Sequence, residues 1–100
     1  MSATMDETMI SLAERTGPVP SGRGQAEVVR AEIETELGRV DEVTVDLTGI
    51  VAMSPSFGDE LFAKLADEIA AGRVRFENVA PSVASLARFV TAGRRERESS

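Results

Sequence analysis

The segment SPSFGDE, residues 54–60, places two serines and two carboxylates close together, in a pattern typical of a helix start or a small polar site. Ser54 precedes a proline, which has no N–H to lose in the first turn of a helix, so this pair predicts a helix N-terminus. Ser56 followed by Asp59 is a rival capping box, with aspartate in place of the usual Glu or Gln. In both cases a serine hydroxyl and free backbone N–H groups meet at one point.

Three carboxylates of this region are candidates for acid–base or metal chemistry. Asp59 and Glu60 are adjacent, and on a helix adjacent side chains point about 100° apart and do not converge, so we expect a solvated face. Asp46 ends an apolar strand, where its carboxylate can accept hydrogen bonds from N–H groups around Thr48 and Gly49 in an Asx-type turn. We predict this structural role for Asp46.

Catalysis is not expected, because the chain has no histidine and no cysteine to serve as general base or paired nucleophile. The only lysine, Lys64, lies roughly two to three helical turns beyond the serines and should point into solvent. The segment GPVPSGRG at 17–24 imitates a phosphate-binding loop, but Arg23 replaces the lysine and two prolines remove donors. The sequence therefore predicts no enzyme, no catalytic residue, no cofactor and no metal site.

A strand and a helix must position the polar residues. In VTVDL at 43–47, apolar and polar residues alternate at the period of a strand. The run from Ile50 to Met53 is expected to pack the connection against the body of the domain. The helix after it has an apolar residue at every fourth position until Gly72 stops it, namely Phe57, Leu61, Leu65 and Ile69.

The same periodicities predict a strand at 9–13, a helix at 22–37 that Gly38 ends, a strand at 73–77 that reaches Asn78, and a helix from Pro81 to Gly93. Val19, in the turn region between the first two, is a candidate hairpin arm. The order β-α-β-α-β-α indicates a small α/β domain, with a three- to four-stranded mixed or parallel sheet packed against three helices. We assign residues 1–93 to this domain and 94–100 to a disordered, charged tail.

Composition narrows the function classes. The formal charge is −6, and no basic face is visible, so nucleic acid is not an expected partner. No apolar run approaches the length of a membrane span, and the chain has no cysteine, so we expect a cytoplasmic protein that does not bind membranes. Open parallel sheets bind their ligands beyond the carboxyl ends of the strands, here the loop 48–56 and the turn after Asn78. An exposed edge strand also makes a homodimer a candidate assembly.

The segments VDLTGI at 45–50 and SPSFGDELF at 54–62 together resemble the STAS-like family catalogued as a domain of unknown function. Its wider relatives are the anti-sigma factor antagonists and the cytoplasmic domains of sulfate transporters. In those proteins a strand ending Asp-Leu-Ser-Gly-Val leads to Asp-Ser-Ser-Gly at a helix start, and the second serine is a phosphorylation switch. By this resemblance Ser56 occupies the switch position and Ser54 the aspartate position, while Pro55 and Phe57 replace the preceding serine and the following glycine.

The resemblance implies a regulatory protein-interaction module that docks on a kinase-like or anti-sigma-type partner through the strand, loop and helix from Asp46 to Glu60. The implied contact residues, with Ser56 as the candidate phosphosite, are Asp46, Thr48, Ser54, Ser56, Phe57, Asp59 and Glu60. The helix dipole would favour a phosphate on Ser56, and the two acidic neighbours would oppose it, so a plain helix cap is preferred. The alternative is a small-ligand or anion sensor that binds at the N-terminus of the helix starting near Ser54.

Overall fold

A computed structural model describes residues 7–99 of the protein, with side chains described as far as residue 93. The first half contains β1 (Glu7–Ser11), α1 (Leu12–Thr16), α2 (Arg23–Leu37) and β2 (Glu42–Asp46). The second half contains α3 (Pro55–Gly58), a π-helix (Asp59–Ala63), α4 (Ala66–Ala70), β3 (Val74–Glu77) and α5 (Pro81–Ser99). Along these described residues, no helix combines the length and the apolar character needed to cross a bilayer.

The three strands form one parallel sheet in the order β1-β2-β3, which confirms the predicted α/β class. Ile10, Val45 and Phe76 lie side by side across it. Parallel neighbours need crossover connections, and the helices between the strands supply them. The carboxyl ends of all three strands therefore meet at one edge, which is the edge that the sequence indicates for a binding site. Within the described residues β1 is an edge strand, and dimerisation through it stays a prediction.

The core lies between the sheet and a layer formed by α2, the π-helix and α5. The sheet contributes Val43, Val45 and Val74, all of which are buried. On α2 the predicted apolar stripe is confirmed, since Ala26, Val29 and Ile33 are buried. The π-helix packs between α2 on one side and α5 on the other, so it is the central member of the helical layer.

Three predicted element boundaries are wrong. The strand at 9–13 ends at Ser11, and Ala13 belongs to the short helix α1. Val19 lies in an irregular loop and pairs with no strand. The last helix continues past Gly93 to Ser99, because a glycine within a helix costs only about 1 kcal/mol and need not end it. The disorder predicted for 94–100 stays a prediction.

The predicted helix from Ser54 to Gly72 is divided into α3, the π-helix and α4. In the π-helix the consecutive residues Glu60, Leu61, Phe62 and Ala63 are all buried. A helix with one packed face cannot bury four residues in a row, but a helix covered on two sides can. The solvated face predicted for Glu60 is therefore wrong. Gly72 ends α4 as predicted, with the left-handed φ of 79° that favours glycine.

Candidate functional site

The candidate site is the loop that leaves β2 at the carboxyl edge of the sheet and enters α3. Its first residues are anchored, since Leu47 and Ile50 are buried in the core. Ile50 N–H donates to the carbonyl of Leu47 at 3.0 Å and closes a tight turn around Gly49, whose φ is 89°. Only a residue without Cβ adopts that φ freely, so the glycine of the VDLTGI segment is required by the turn.

Asp46 holds this turn to the neighbouring strand. Its Oδ1 accepts hydrogen bonds from the Thr48 N–H at 3.0 Å, the Thr48 hydroxyl at 2.7 Å and the Asn78 side-chain amide at 2.9 Å. These bonds, that of Asn78 foremost, hold the pKa of Asp46 below its ordinary value because they favour the charged form. The predicted Asx-type role is confirmed. The additional bond to Asn78 joins the ends of β2 and β3.

Replacing Asp46 with alanine should therefore loosen the turn while the sheet stays intact. We expect the Thr48 amide to exchange its hydrogen about fivefold faster, because it loses its acceptor. Amide hydrogen exchange measured by NMR tests this. Asp46→Asn is the matched control, since it keeps an Oδ1 acceptor and should retain most of the protection. Equal exchange in the alanine variant and the wild type would contradict the role given to Asp46.

The second half of the loop is tied to the segment before α2. Val51 N–H donates to the Pro18 carbonyl at 2.9 Å, and Ser54 N–H donates to the Pro20 carbonyl at 3.1 Å. On the other side, the Ser82 hydroxyl at the start of α5 donates to the Val51 carbonyl at 3.2 Å. The backbone of the loop is thus fixed on two sides.

Two consecutive side chains of this fixed loop, those of Val51 and Ala52, face outward. Val51 is 63% exposed, and Val19, next to the residue that binds the Val51 amide, is 53% exposed. The prediction that the run from Ile50 to Met53 packs against the domain is wrong at Val51 and Ala52, although Ile50 is buried. Hydrogen bonds from the segment 18–22 and from α5 to the backbone of the loop hold Val51 outward. These segments are distant in the chain, so local sequence does not show the contacts.

Ser54 is the N-cap of α3, with Pro55 at the first helical position, as predicted. Its Oγ accepts hydrogen bonds from the Phe57 N–H at 3.2 Å and the Gly22 N–H at 3.3 Å. The Ser56 Oγ lies 3.4 Å from the Ser54 Oγ, and both side chains are partly exposed. The rival start at Ser56 is not used, because α3 begins at Pro55. The two hydroxyls therefore lie side by side at the surface, between the starts of α2 and α3.

The other predicted contact residues fall into different environments. Thr48 is exposed and lies in the loop. Phe57 is fully buried in the core, at 0% exposure, so it supports the site from beneath and does not reach its surface. Asp59 lies 3.1 Å from an Arg23 guanidinium nitrogen. Glu60 is 1% exposed.

Glu60 is the centre of an ion cluster that sequence reasoning missed. Its two carboxylate oxygens lie 2.9 Å from Arg23 and 2.8 Å from Arg30, both on α2, and one lies 3.5 Å from Lys64. Burial raises the pKa of Glu60, but the hydrogen bonds from the two arginines and the charge of Lys64 lower it by more, so its pKa is below the ordinary value. Lys64 is exposed, as predicted, and its Nζ also lies at the edge of this cluster.

A sequence signal for this cluster existed. Arg23 and Arg30 are seven residues apart, which places both on one face of a helix. Glu60 and Lys64 have the i, i+4 spacing of a helical ion pair. What the spacing does not show is that the two faces meet. Among the described side chains, no group of three carboxylates comes together that could hold a metal ion.

One comparison with known proteins finds a family match that covers this strand, loop and helix. The family model described as a STAS-like domain of unknown function (DUF4325) matches residues 25–84, which include β2, the loop, α3 and β3. No curated protein and no solved structure matches the chain. The matched part exceeds half of the chain and contains the loop from β2 to α3. The chain therefore belongs to the family of STAS-like domains of unknown function.

Proposed function

We propose that the protein is a non-enzymatic regulatory module that binds a protein partner through the carboxyl edge of its sheet. The contact surface, called the docking edge below, is formed by the surface groups of residues 18–22 and 47–56. A kinase-like or anti-sigma-type protein is the partner class that the family resemblance implies. The observation that carries the proposal is an apolar side chain, Val51, held outward at 63% exposure by a backbone fixed on both sides.

Two physical features of the docking edge support protein binding. Exposed apolar side chains among polar groups are typical of interaction sites, and along the docking edge the exposed Val51 and Val19 occur together with the polar residues Thr48, Ser54 and Ser56. The hydrogen bonds between the two segments also fix the backbone before binding, which lowers the entropy lost when a partner docks. Because the backbone of the docking edge is already anchored, it is expected to move little when a partner docks.

The position of Ser56 is compatible with control of this contact by modification. Its hydroxyl is partly exposed and lies at the docking edge, beside Ser54. A phosphate there would add about two negative charges within the contact area. We propose that such a charge weakens docking on any partner that covers Val51, and that Ser56→Asp reproduces part of that effect.

The anion-sensor alternative has less support from the geometry. Pro55 has no N–H, and the Phe57 N–H already donates to the Ser54 Oγ at 3.2 Å. The Gly58 N–H donates to the Ser54 carbonyl at 3.0 Å. The short α3 therefore has few free donors with which to hold an anion.

The docking edge is tested by capturing partners from the native cells with the wild type and with Val51→Asp. We expect the variant to recover any specific partner at least about tenfold less, because a charge at the centre of an apolar contact leaves an unpaired, desolvated carboxylate. Quantitative mass spectrometry of the captured proteins gives the measurement.

Val28→Asp is the matched control, since Val28 is 71% exposed on α2 and lies outside the docking edge. It should recover the same partners as the wild type. A partner lost equally in both variants, or retained equally by both, would count against the docking edge. Reduced recovery by Ser56→Asp would support the proposed control by modification, and unchanged recovery would oppose it.

A further inference from the structure

A second feature of the molecule lies away from the docking edge. A cleft of about 490 Å³ opens between the π-helix, α4, β3 and α5. Its apolar walls include Phe62, Ile69, Phe76, Val79 and Ala87. The rings of Phe62 and Phe76 meet edge to face, with centroids 4.8 Å apart. None of the residues that line it belongs to 18–22 or 47–56, so this cleft and the docking edge are separate surfaces.

Among the residues with described side chains, one charged residue lines the cleft, Arg88 on α5. Among the described side chains, its hydrogen bond is a long one, 3.4 Å to the Ser85 Oγ on the same helix. The other arginines with described side chains each have a carboxylate oxygen within 3.7 Å, namely Arg15, Arg23, Arg30, Arg39, Arg73 and Arg75. Within that described set Arg88 has none. An arginine without a carboxylate is notable in a chain of net charge −6.

The other polar side chain described in the cleft, that of Thr91, does not compete with Arg88 for a charged ligand. The Thr91 hydroxyl donates to the Ala87 carbonyl at 2.7 Å, so its hydrogen is already used. As far as its side chains are described, the cleft thus combines apolar walls with one guanidinium, that of Arg88. A guanidinium binds a carboxylate through two parallel hydrogen bonds, and one positive charge matches one negative charge.

We propose that this cleft binds a small monocarboxylic acid with an apolar body, such as a medium-chain fatty acid. The carboxylate would lie on Arg88 and the apolar chain against Phe62 and Phe76. The volume supports a small molecule, because small-molecule sites in proteins typically measure about 300–1,000 Å³ and are mostly apolar with a few placed polar groups. Charge complementarity selects an acid over a neutral lipid. This site would give the module a ligand-binding surface that is separate from the surface that contacts its protein partner.

The test uses decanoate as the probe acid and 1-decanol as the neutral probe of equal chain length. Both are titrated against the full chain carrying the fluorescent dye 8-anilinonaphthalene-1-sulfonate, an apolar anion that should occupy the same cleft. The chain has no Trp or Tyr, so the dye signal has little protein background. Decanoate should displace the dye in a saturable manner, and at about tenfold lower concentration than decanol, because it gains charge-assisted hydrogen bonds.

Three variants locate the site. The dye affinity of each variant is measured first, so that displacement can be converted into a dissociation constant for each probe. Arg88→Gln should then weaken decanoate about tenfold and leave decanol unchanged, since only the charge is lost. Ala87→Leu should weaken the binding of both probes, because the larger side chain fills the cleft. This variant tests the proposal through a second residue. Arg39→Gln is the matched control, an exposed arginine elsewhere on the chain, and should change neither. The proposal is overturned if decanoate fails to displace the dye, if Arg88→Gln binds decanoate as tightly as Arg39→Gln does, or if Ala87→Leu binds both probes like the wild type.

Discussion

Replacing Phe57 with alanine should lower the free energy of unfolding by about 3 to 5 kcal/mol. Phe57 is the third residue after the Ser54 cap, and it is fully buried at 0% exposure as part of the core. Its removal loses the transfer free energy of the ring and leaves a cavity that the surrounding helices fill only in part. Urea denaturation followed by circular dichroism measures the change.

Phe89→Ala is the matched control for this prediction. It deletes the same side chain from α5, where Phe89 is 74% exposed, so the expected change is within about 0.5 kcal/mol. A similar loss in both variants, or a loss below about 1 kcal/mol at Phe57, would show that Phe57 does not anchor the core.

The burial of Phe57 also supports the docking edge from beneath. The next residue, Gly58, packs so closely on α5 that a Cβ there would lie 2.7 Å from a Leu86 methyl carbon. Phe57 and Gly58 thus fix α3 to the body of the protein from beneath, while Ser54 and Ser56 remain at the surface. Phe57, which the sequence predicts to contact a partner, therefore acts by holding its neighbours in place.

Local sequence was sufficient where local physics decides the structure. The alternation at 43–47, the α2 stripe, the Ser54 cap and the Asp46 turn all depend on residues within a few positions of one another. The type of each of these elements was predicted, because backbone dihedral preferences and nearby hydrogen bonds favour the same local structure there.

The features that sequence reasoning missed depend on contacts between distant segments. Val51 faces outward because Pro18 and Ser82 bind its backbone, and these lie 33 and 31 positions away in the chain. Glu60 is buried because α2 places Arg23 and Arg30 over it. No periodicity within the 54–72 segment could show that its helix would be the middle one of three and be covered on both sides.

Replacing Glu60 with glutamine should lower the free energy of unfolding at neutral pH by about 2 to 3 kcal/mol. The change removes the one carboxylate that Arg23, Arg30 and Lys64 share. Breaking a fully buried pair costs more than this, but these three cations are partly exposed and can turn toward water. Glu34→Gln is the matched control, since Glu34 is half-exposed and, among the described side chains, pairs with Arg30 alone, and it should cost no more than about 0.5 kcal/mol.

The stabilisation from Glu60 should also depend on pH in a defined direction. Its pKa in the folded protein is lower than its ordinary value of 4.5, so near that value the unfolded chain binds more protons than the folded protein. The contribution of Glu60 is therefore complete above about pH 5 and is lost as the pH falls through 4.5 toward the folded-state pKa. Urea denaturation of the wild type and of Glu60→Gln between about pH 7 and about pH 3 should show their stabilities converging in acid, because protonated glutamate and glutamine are both neutral. A gap that stays constant over this range would mean that the charge of Glu60 contributes nothing and that the variant is destabilised by packing alone.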